Sequence, residues 1–126
     1  MHGIFHVDNS HYTETWVETT AGEKIDMKTA PIGFFEGDVV IVDKVMKLVK
    51  STIRNTKIYG TLMIADKMYG KYKKNKYYYK FIPFDKKLPI FLVPYTLQTE
   101  FQKRKINKYA CITFTQWTNT HPYGTL

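Results

Sequence analysis

Tyr109-Ala110-Cys111-Ile112-Thr113-Phe114-Thr115-Gln116-Trp117 changes character at every step. On an extended chain Tyr109, Cys111, Thr113, Thr115 and Trp117 share one face, and Ala110, Ile112, Phe114 and Gln116 share the other. A helix would bring residues three and four apart together; a period of two reads as a strand. Working outward, His121-Pro122-Tyr123-Gly124 reads as a closing turn, and residues 96–107 are polar and basic and carry no strand pattern. Tyr77–Phe84 and Pro89–Tyr95 are strand-like, with Pro83 and Pro89 placing them at an edge or a bend.

The same rhythm runs through the first half. Gly3–Val7, Thr13–Thr20, Lys24–Lys28 and Tyr59–Ala65 read as strands, and Val39-Val40-Ile41-Val42 is a β-branched run suited to the middle of a sheet. Lys44–Lys57 fits either a helical face (Val45, Leu48, Val49, Thr52) or a strand that turns basic residues outward, and is read as a strand continuing past a bulge. Short strands with little helix predict an all-β fold. Two successive runs of strands suggest two small barrels in tandem, residues 1–67 and 68–126, divided at the basic stretch Met68–Lys76.

The chain has 126 residues, enough for one ordinary domain or two very small ones. Aromatic residues make up 16%, with ten Tyr and eight Phe, which suits strands and also suits stacking on unpaired bases. The one cysteine, Cys111, can form no internal disulfide and reads as a small core residue. No signal-peptide pattern is visible and no apolar run could span a bilayer, so an intracellular protein, cytoplasmic or nuclear and without membrane contact, is expected.

Net charge is +8 and unevenly spread. Residues 1–43 set Lys24 and Lys28 against eight acids, a balance of −6; residues 44–126 set seventeen Lys or Arg against Asp66, Asp85 and Glu100, a balance of +14. A polyanion lying along the second part accounts for that split; lysine kept for solubility is the plainer alternative. Lys71, Tyr72, Lys73, Lys74, Lys76, Tyr77 and Tyr79 interleave cations with rings, the mixture that neutralises phosphates and stacks bases. Tyr77, Tyr79 and Phe81 share one face of their strand and Tyr78, Lys80 and Ile82 the other, and one of those faces must be core. Lys103-Arg104-Lys105 forms a second basic cluster, and Lys47, Lys50, Arg54 and Lys57 a third.

Phe81-Ile82-Pro83-Phe84-Asp85-Lys86-Lys87-Leu88-Pro89-Ile90-Phe91-Leu92-Val93-Pro94 resembles the second cold-shock domain of the ribonuclease II (RNB) exoribonucleases, in which a Pro-x-Asp-basic-basic-x-Pro stretch precedes an apolar strand. Lys108–Trp117 and His121-Pro122-Tyr123-Gly124-Thr125-Leu126 resemble that domain's last strand and its Trp…Pro-x-Gly turn. The first half is similar in layout to the preceding cold-shock domain: Gly3-Ile4-Phe5, then Glu36–Val42, then a basic stretch leading to Gly60-Thr61-Leu62. The eukaryotic-exosome and large-DNA-virus branches are the nearer ones. The resemblance implies that the two barrels are small OB-fold (cold-shock-like) barrels in tandem and that the module guides RNA, with Lys86 and Lys87 added to the basic contacts and Phe5, Tyr12 and Trp16 as stacking candidates. The family's catalytic domain, with its metal-binding aspartates, would begin after Leu126, so this chain alone is expected to be no enzyme.

His2, His6, His11 and Asp8 fit no zinc spacing, and no metal or cofactor is expected. No phosphate loop, nucleophile elbow or paired-carboxylate motif is present. The leading expectation is a binder of single-stranded RNA, or of single-stranded DNA, with little sequence preference. Two alternatives stay open. One is a protein-interaction or assembly module, with a protein partner on the acidic first barrel. The other is a translation-factor-like OB domain, suggested by Gly37–Val42.

Overall fold

A computed structural model of the chain describes residues 1–27, 33–43, 45–65, 69–73, 76–96, 107–117 and 120–126, with backbone alone at Lys71 and Lys73. The strands are His2–Val7 (β1), Thr15–Thr19 (β2), Lys24–Asp26 (β3), Val39–Val42 (β4), Met46–Lys50 (β5), Ile58–Leu62 (β6), Lys71–Lys73 (β7), Lys76–Pro83 (β8), Phe91–Tyr95 (β9), Lys108–Gln116 (β10) and Tyr123–Thr125 (β11). Among the described residues the sole helical element is a single 3-10 turn at Ile53–Asn55, and no helix is long and apolar enough to cross a membrane. The fold is all-β.

The strongly alternating stretch becomes β10, the longest of these strands. Ile112 is buried, and Ala110 and Phe114 pack on the same core, while Tyr109 is 83% exposed. Cys111, expected in the core, lies half-buried on the outward side opposite Tyr59. The alternation breaks once. A bulge between Phe114 and Gln116 inserts one residue, and Trp117, expected on Tyr109's face, turns inward to the core.

β10 is central to a closed barrel. β6 pairs with both β10 and β8, β8 with β9, β9 with β11 in parallel, and β11 with β10, which returns the ring to its start. Taken as strands one to five, β6, β8, β9, β10 and β11 have the pairing order of an OB-fold, with β7 an added hairpin arm on β8. The tail strand Tyr123-Gly124-Thr125, whose first two residues fall in the expected closing turn His121-Pro122-Tyr123-Gly124, is thus the strand that closes the ring. Closure needs close backbone approach at Gly60, whose neighbours across the two ladders are Pro83 and Ala110. A Cβ there would lie 2.3 Å from the Ile82 carbonyl oxygen and 2.8 Å from the Pro83 Cα, so a larger residue cannot enter without moving backbone.

The first five strands form a separate sheet in the order β3-β2-β1-β4-β5. This is the same OB order, but β3 and β5 are not paired among the described residues, so it is an open sheet beside a closed barrel. Met46–Lys50 is a strand, as read, with a bulge opposite Val39 and Val40. Its own core is small: Phe5, Val7, Val17 and Val40. Strand pairing crosses the expected division at 67/68, since β6 lies in the second sheet; the sheets part between Lys50 and Ile58.

The two sheets share side chains at one joint. Gly37 takes a positive φ of 86°, which tightens Phe35–Asp38 into a turn closed by the Asp38 N–H donating to the Phe35 carbonyl at 3.0 Å. β1 grips this turn from both sides: Phe5 N–H donates to Asp38 O and Gly37 N–H to Phe5 O, each at 2.8 Å. Phe35 is thereby pushed out of the first sheet and into the barrel core, stacked on Phe91 at 5.7 Å and edge-on to Phe114 at 5.3 Å. The Asp38 carboxylate, fully buried, accepts from the Phe35 N–H at 2.9 Å and from the Ser51 hydroxyl at 2.6 Å. Loss of hydration pushes its carboxyl above the ordinary range, against the opposing pull of those two hydrogen bonds and of the Arg54 charge. Tyr12 donates to the Phe34 carbonyl at 2.6 Å and packs on Phe5 and Trp117, and burial keeps its hydroxyl protonated.

Two outcomes follow from this joint. Phe35→Ala should cost about 3–5 kcal/mol in urea unfolding, because the cavity opens inside the barrel. Asp38's raised folded value means its contribution is fully present below the unfolded carboxyl range and fades as pH rises through the folded one. The stability difference between wild type and Asp38→Asn should therefore grow in the wild type's favour as pH falls from about 7 to about 4. A difference that stays flat with pH would remove Asp38 as the titrating group.

Candidate nucleic-acid interface

β8 is Lys76-Tyr77-Tyr78-Tyr79-Lys80-Phe81-Ile82-Pro83, and the pleat sends its odd and even residues to opposite sides. Tyr79 and Phe81 are in the core at 2% and 0% exposure, and Tyr77 packs against it. The even residues Tyr78, Lys80 and Ile82 face out. Across the ladder Tyr78 pairs with Pro94 and Lys80 with Leu92, and Leu92 also pairs with Tyr123 of β11. The outer surface of β8, β9 and β11 therefore brings Tyr78, Lys80 and Tyr123 together, although 45 residues separate Tyr78 from Tyr123 in the chain.

The β7 arm completes this surface. Tyr69 N–H donates to Tyr78 O at 2.7 Å and Tyr78 N–H to Gly70 O at 2.8 Å, which lays the arm against β8. The Tyr72 ring sits 5.4 Å from Tyr78, and Tyr78 sits 5.2 Å from Tyr123. Lys80 Nζ lies 5.4 Å from the centre of the Tyr69 ring, and Tyr69 is edge-on to His121 at 6.0 Å. His121 is held close because Leu92 N–H donates to the Pro122 carbonyl at 2.9 Å. The result is four tyrosines, one histidine and one lysine over the outer surface of strands two, three and five, with Tyr69 and Tyr72 supplied by the described part of the loop joining strands one to two and His121 by that of the loop joining strands four to five. In OB-folds that face and those loops bind oligonucleotides and oligosaccharides. Burial, then the neighbouring Tyr123 and Tyr72, push the Tyr78 hydroxyl above the ordinary tyrosine range. Like any tyrosine it is neutral at physiological pH and can stack or donate without repelling phosphate.

Of the residues expected to contact RNA, Tyr72 belongs to this surface. Tyr77 and Tyr79 do not: the apolar weight of Phe81 on their side of the strand turns that side inward. Tyr78, Lys80, Tyr69, Tyr123 and His121 were not among the expected residues. Both faces of β8 carry rings, so parity alone left the choice open, and pairing with β9 and β11 decides it. Arg54 is also withdrawn from the surface. Its guanidinium lies 5.5 Å from the Phe35 ring and 4.9 Å from the Phe114 ring and donates to the Gly33 carbonyl, so it braces the joint.

Lys47 and Lys50 are exposed on β5, in the first sheet; Lys57 is exposed just before β6, and Lys76 at the start of β8. Lys86 and Lys87 are exposed in the β8–β9 turn, and Lys87 Nζ reaches Glu36 Oε1 at 3.4 Å. Lys71 and Lys73 lie on β7. Lys74, Lys103, Arg104 and Lys105 lie outside the described residues. Of the stacking candidates on the first sheet, Phe5 is fully buried and Tyr12 is turned onto Phe5. Trp16 stays on the outer side, half-buried, stacked on His6 at 5.7 Å with Lys24 Nζ 4.7 Å from its ring centre. His6 in turn contacts Glu36 at 2.8 Å. Among the described residues, no group of three or more His, Cys, Asp or Glu is placed to hold a metal ion.

The inward and outward assignment on β8 can be checked directly. Tyr79→Ala should cost about 3–5 kcal/mol of stability, as core aromatic truncation does, and Tyr78→Ala about 1 kcal/mol. Equal costs in urea titrations would refute the assignment. No protein-family model matches this sequence, and no curated protein matches it.

Proposed function

We propose that this chain binds single-stranded RNA, and single-stranded DNA by the same chemistry, with little sequence preference. The observation that carries the reading is the Tyr72–Tyr78–Tyr123 ring cluster with Lys80 beside Tyr69, set on the OB face that faces oligonucleotides. Rings of this kind stack any base at roughly 1–3 kcal/mol each, and a lysine supplies phosphate contact without reading sequence. The balance of +14 over residues 44–126 supplies a long-range attraction for a polyanion. The resemblance of Phe81–Pro94 and of Lys108–Leu126 to the cold-shock region of RNB exoribonucleases supports the same role, that of guiding RNA toward a catalytic domain. Binding, and no catalytic step, is assigned to this chain.

A second reading applies to the first sheet. Its acidic balance disfavours phosphate, while Val45, just before the edge strand β5, and Leu48 and Val49 on it are 67%, 39% and 51% exposed. Leu48 pairs with the buried Val40 and so lies on the core side of its strand. An incompletely covered core beside a strand edge that is unpaired among the described residues is what a polypeptide partner would cover.

Fluorescence anisotropy with a labelled oligouridylate tests the first reading. Log K should fall linearly with log salt, and Tyr78→Ala should weaken binding about tenfold while Tyr77→Phe leaves it unchanged. Lys80→Glu should weaken binding and flatten the salt slope by about one. No binding at low salt would overturn the proposal.

A further inference from the structure

A second group of rings stands on a different side of the barrel. Tyr59 on β6, Phe84 after β8 and Tyr109 on β10 are 60%, 58% and 83% exposed. They are neighbours: Phe84 N–H donates to the Tyr59 carbonyl at 2.9 Å, and the Phe84 and Tyr109 rings are 5.7 Å apart, edge to face. Tyr59 pairs with Cys111, two residues along β10 from Tyr109 and on the same face. Nothing in the core needs these rings, and large aromatics left in water carry a hydration cost without a packing return.

We propose that Tyr59, Phe84 and Tyr109 are a second base-stacking platform, occupied by the same single strand that lies on the Tyr72–Tyr78–Tyr123 face. This inference rests on the single-strand reading above. The two platforms are continuous. The outward residues of β8 run Tyr78, Lys80, Ile82 and then, just past the strand, Phe84. The stripe joins the two platforms over roughly 20 Å at strand spacing, long enough for several nucleotides. Charge also fits. Lys57 lies two residues before Tyr59 and Lys86 two after Phe84, both exposed, and Lys80 sits midway along the stripe. The acid nearby, Asp85, accepts the Lys87 N–H at 3.0 Å within its own turn. The border fits as well: Thr61, opposite Tyr109, and Thr113, farther along β10, edge the rings with hydroxyls on the outward face. Rings bordered by cations and hydroxyls match bases flanked by phosphates.

Oligouridylates of about four and about twelve nucleotides separate the platforms by length. Wild type should bind the longer strand more tightly. The double variant Phe84→Ala/Tyr109→Ala should lose about tenfold or more of its affinity for the longer strand and keep its affinity for the shorter one. Tyr78→Ala should weaken both. Because the substituted rings are exposed, thermal melting should be little changed, which separates lost stacking from lost fold. Affinity for the longer strand unchanged in the double variant, with Tyr78→Ala still weakened, would overturn the second platform and reassign the patch to a polypeptide partner. Absence of binding to either length in wild type would instead overturn the single-strand reading and this inference with it.

Discussion

The burial of Phe35 in a core that its own sheet does not form is the constraint on which the rest of the structure depends. Phe35 belongs to the turn before β4, yet its ring stacks on Phe91 and meets Phe114 inside the barrel. A buried phenylalanine contributes about 1.5–3 kcal/mol through area alone, and its ring pairs add to that. The first sheet, with four fully buried apolar side chains of its own, has little to spare. Its stability is therefore tied to the barrel, and Asp38 is the fastener. The carboxylate holds the Phe35 N–H and the Ser51 hydroxyl together, and it tolerates burial because both oxygens are partnered. Arg54 packs on the same joint, which explains why a cation in a basic stretch is half-buried with its guanidinium turned inward.

Barrel closure sets the second level. Gly60 lets β6 touch β8 and β10 at once, and β11 closes the ring by pairing in parallel with β9. Once the ring is closed, β8 has no freedom in choosing its faces. Phe81 and Tyr79 must fill the inside, and Tyr78, Lys80 and Ile82 must line the outside. The candidate interface is thus a by-product of core packing. The β7 arm and the Pro122 carbonyl then bring Tyr69, Tyr72 and His121 to the same surface through backbone hydrogen bonds, so rings from three chain segments converge without a sequence motif joining them.

The charge division of the sequence corresponds to this architecture. The acids of residues 1–43 are used locally: Asp38 in the joint, Glu36 with His6, the Val7 N–H and Lys87. The basic excess falls mainly on the barrel side, where the rings are.

Period-two alternation, β-branched runs and turn residues were enough to determine the all-β class and most strands, because a strand's inner and outer faces are written into successive residues. The same local signal recorded the parity of Tyr77–Ile82. It did not record which parity is buried, because both faces hold rings and burial depends on β9 and β11, far along the chain. Tertiary structure alone decided three further points. The tail strand Tyr123–Thr125 is too short to announce itself and exists because β9 and β10 leave a gap for it. Trp117 changes sides because a bulge shifts the register. The sheets part after Lys50, not near Met68, and Phe35 crosses between them. Each of these is set by which distant backbone supplies the hydrogen bonds or the cavity, and that information is shared between segments and carried by none of them singly.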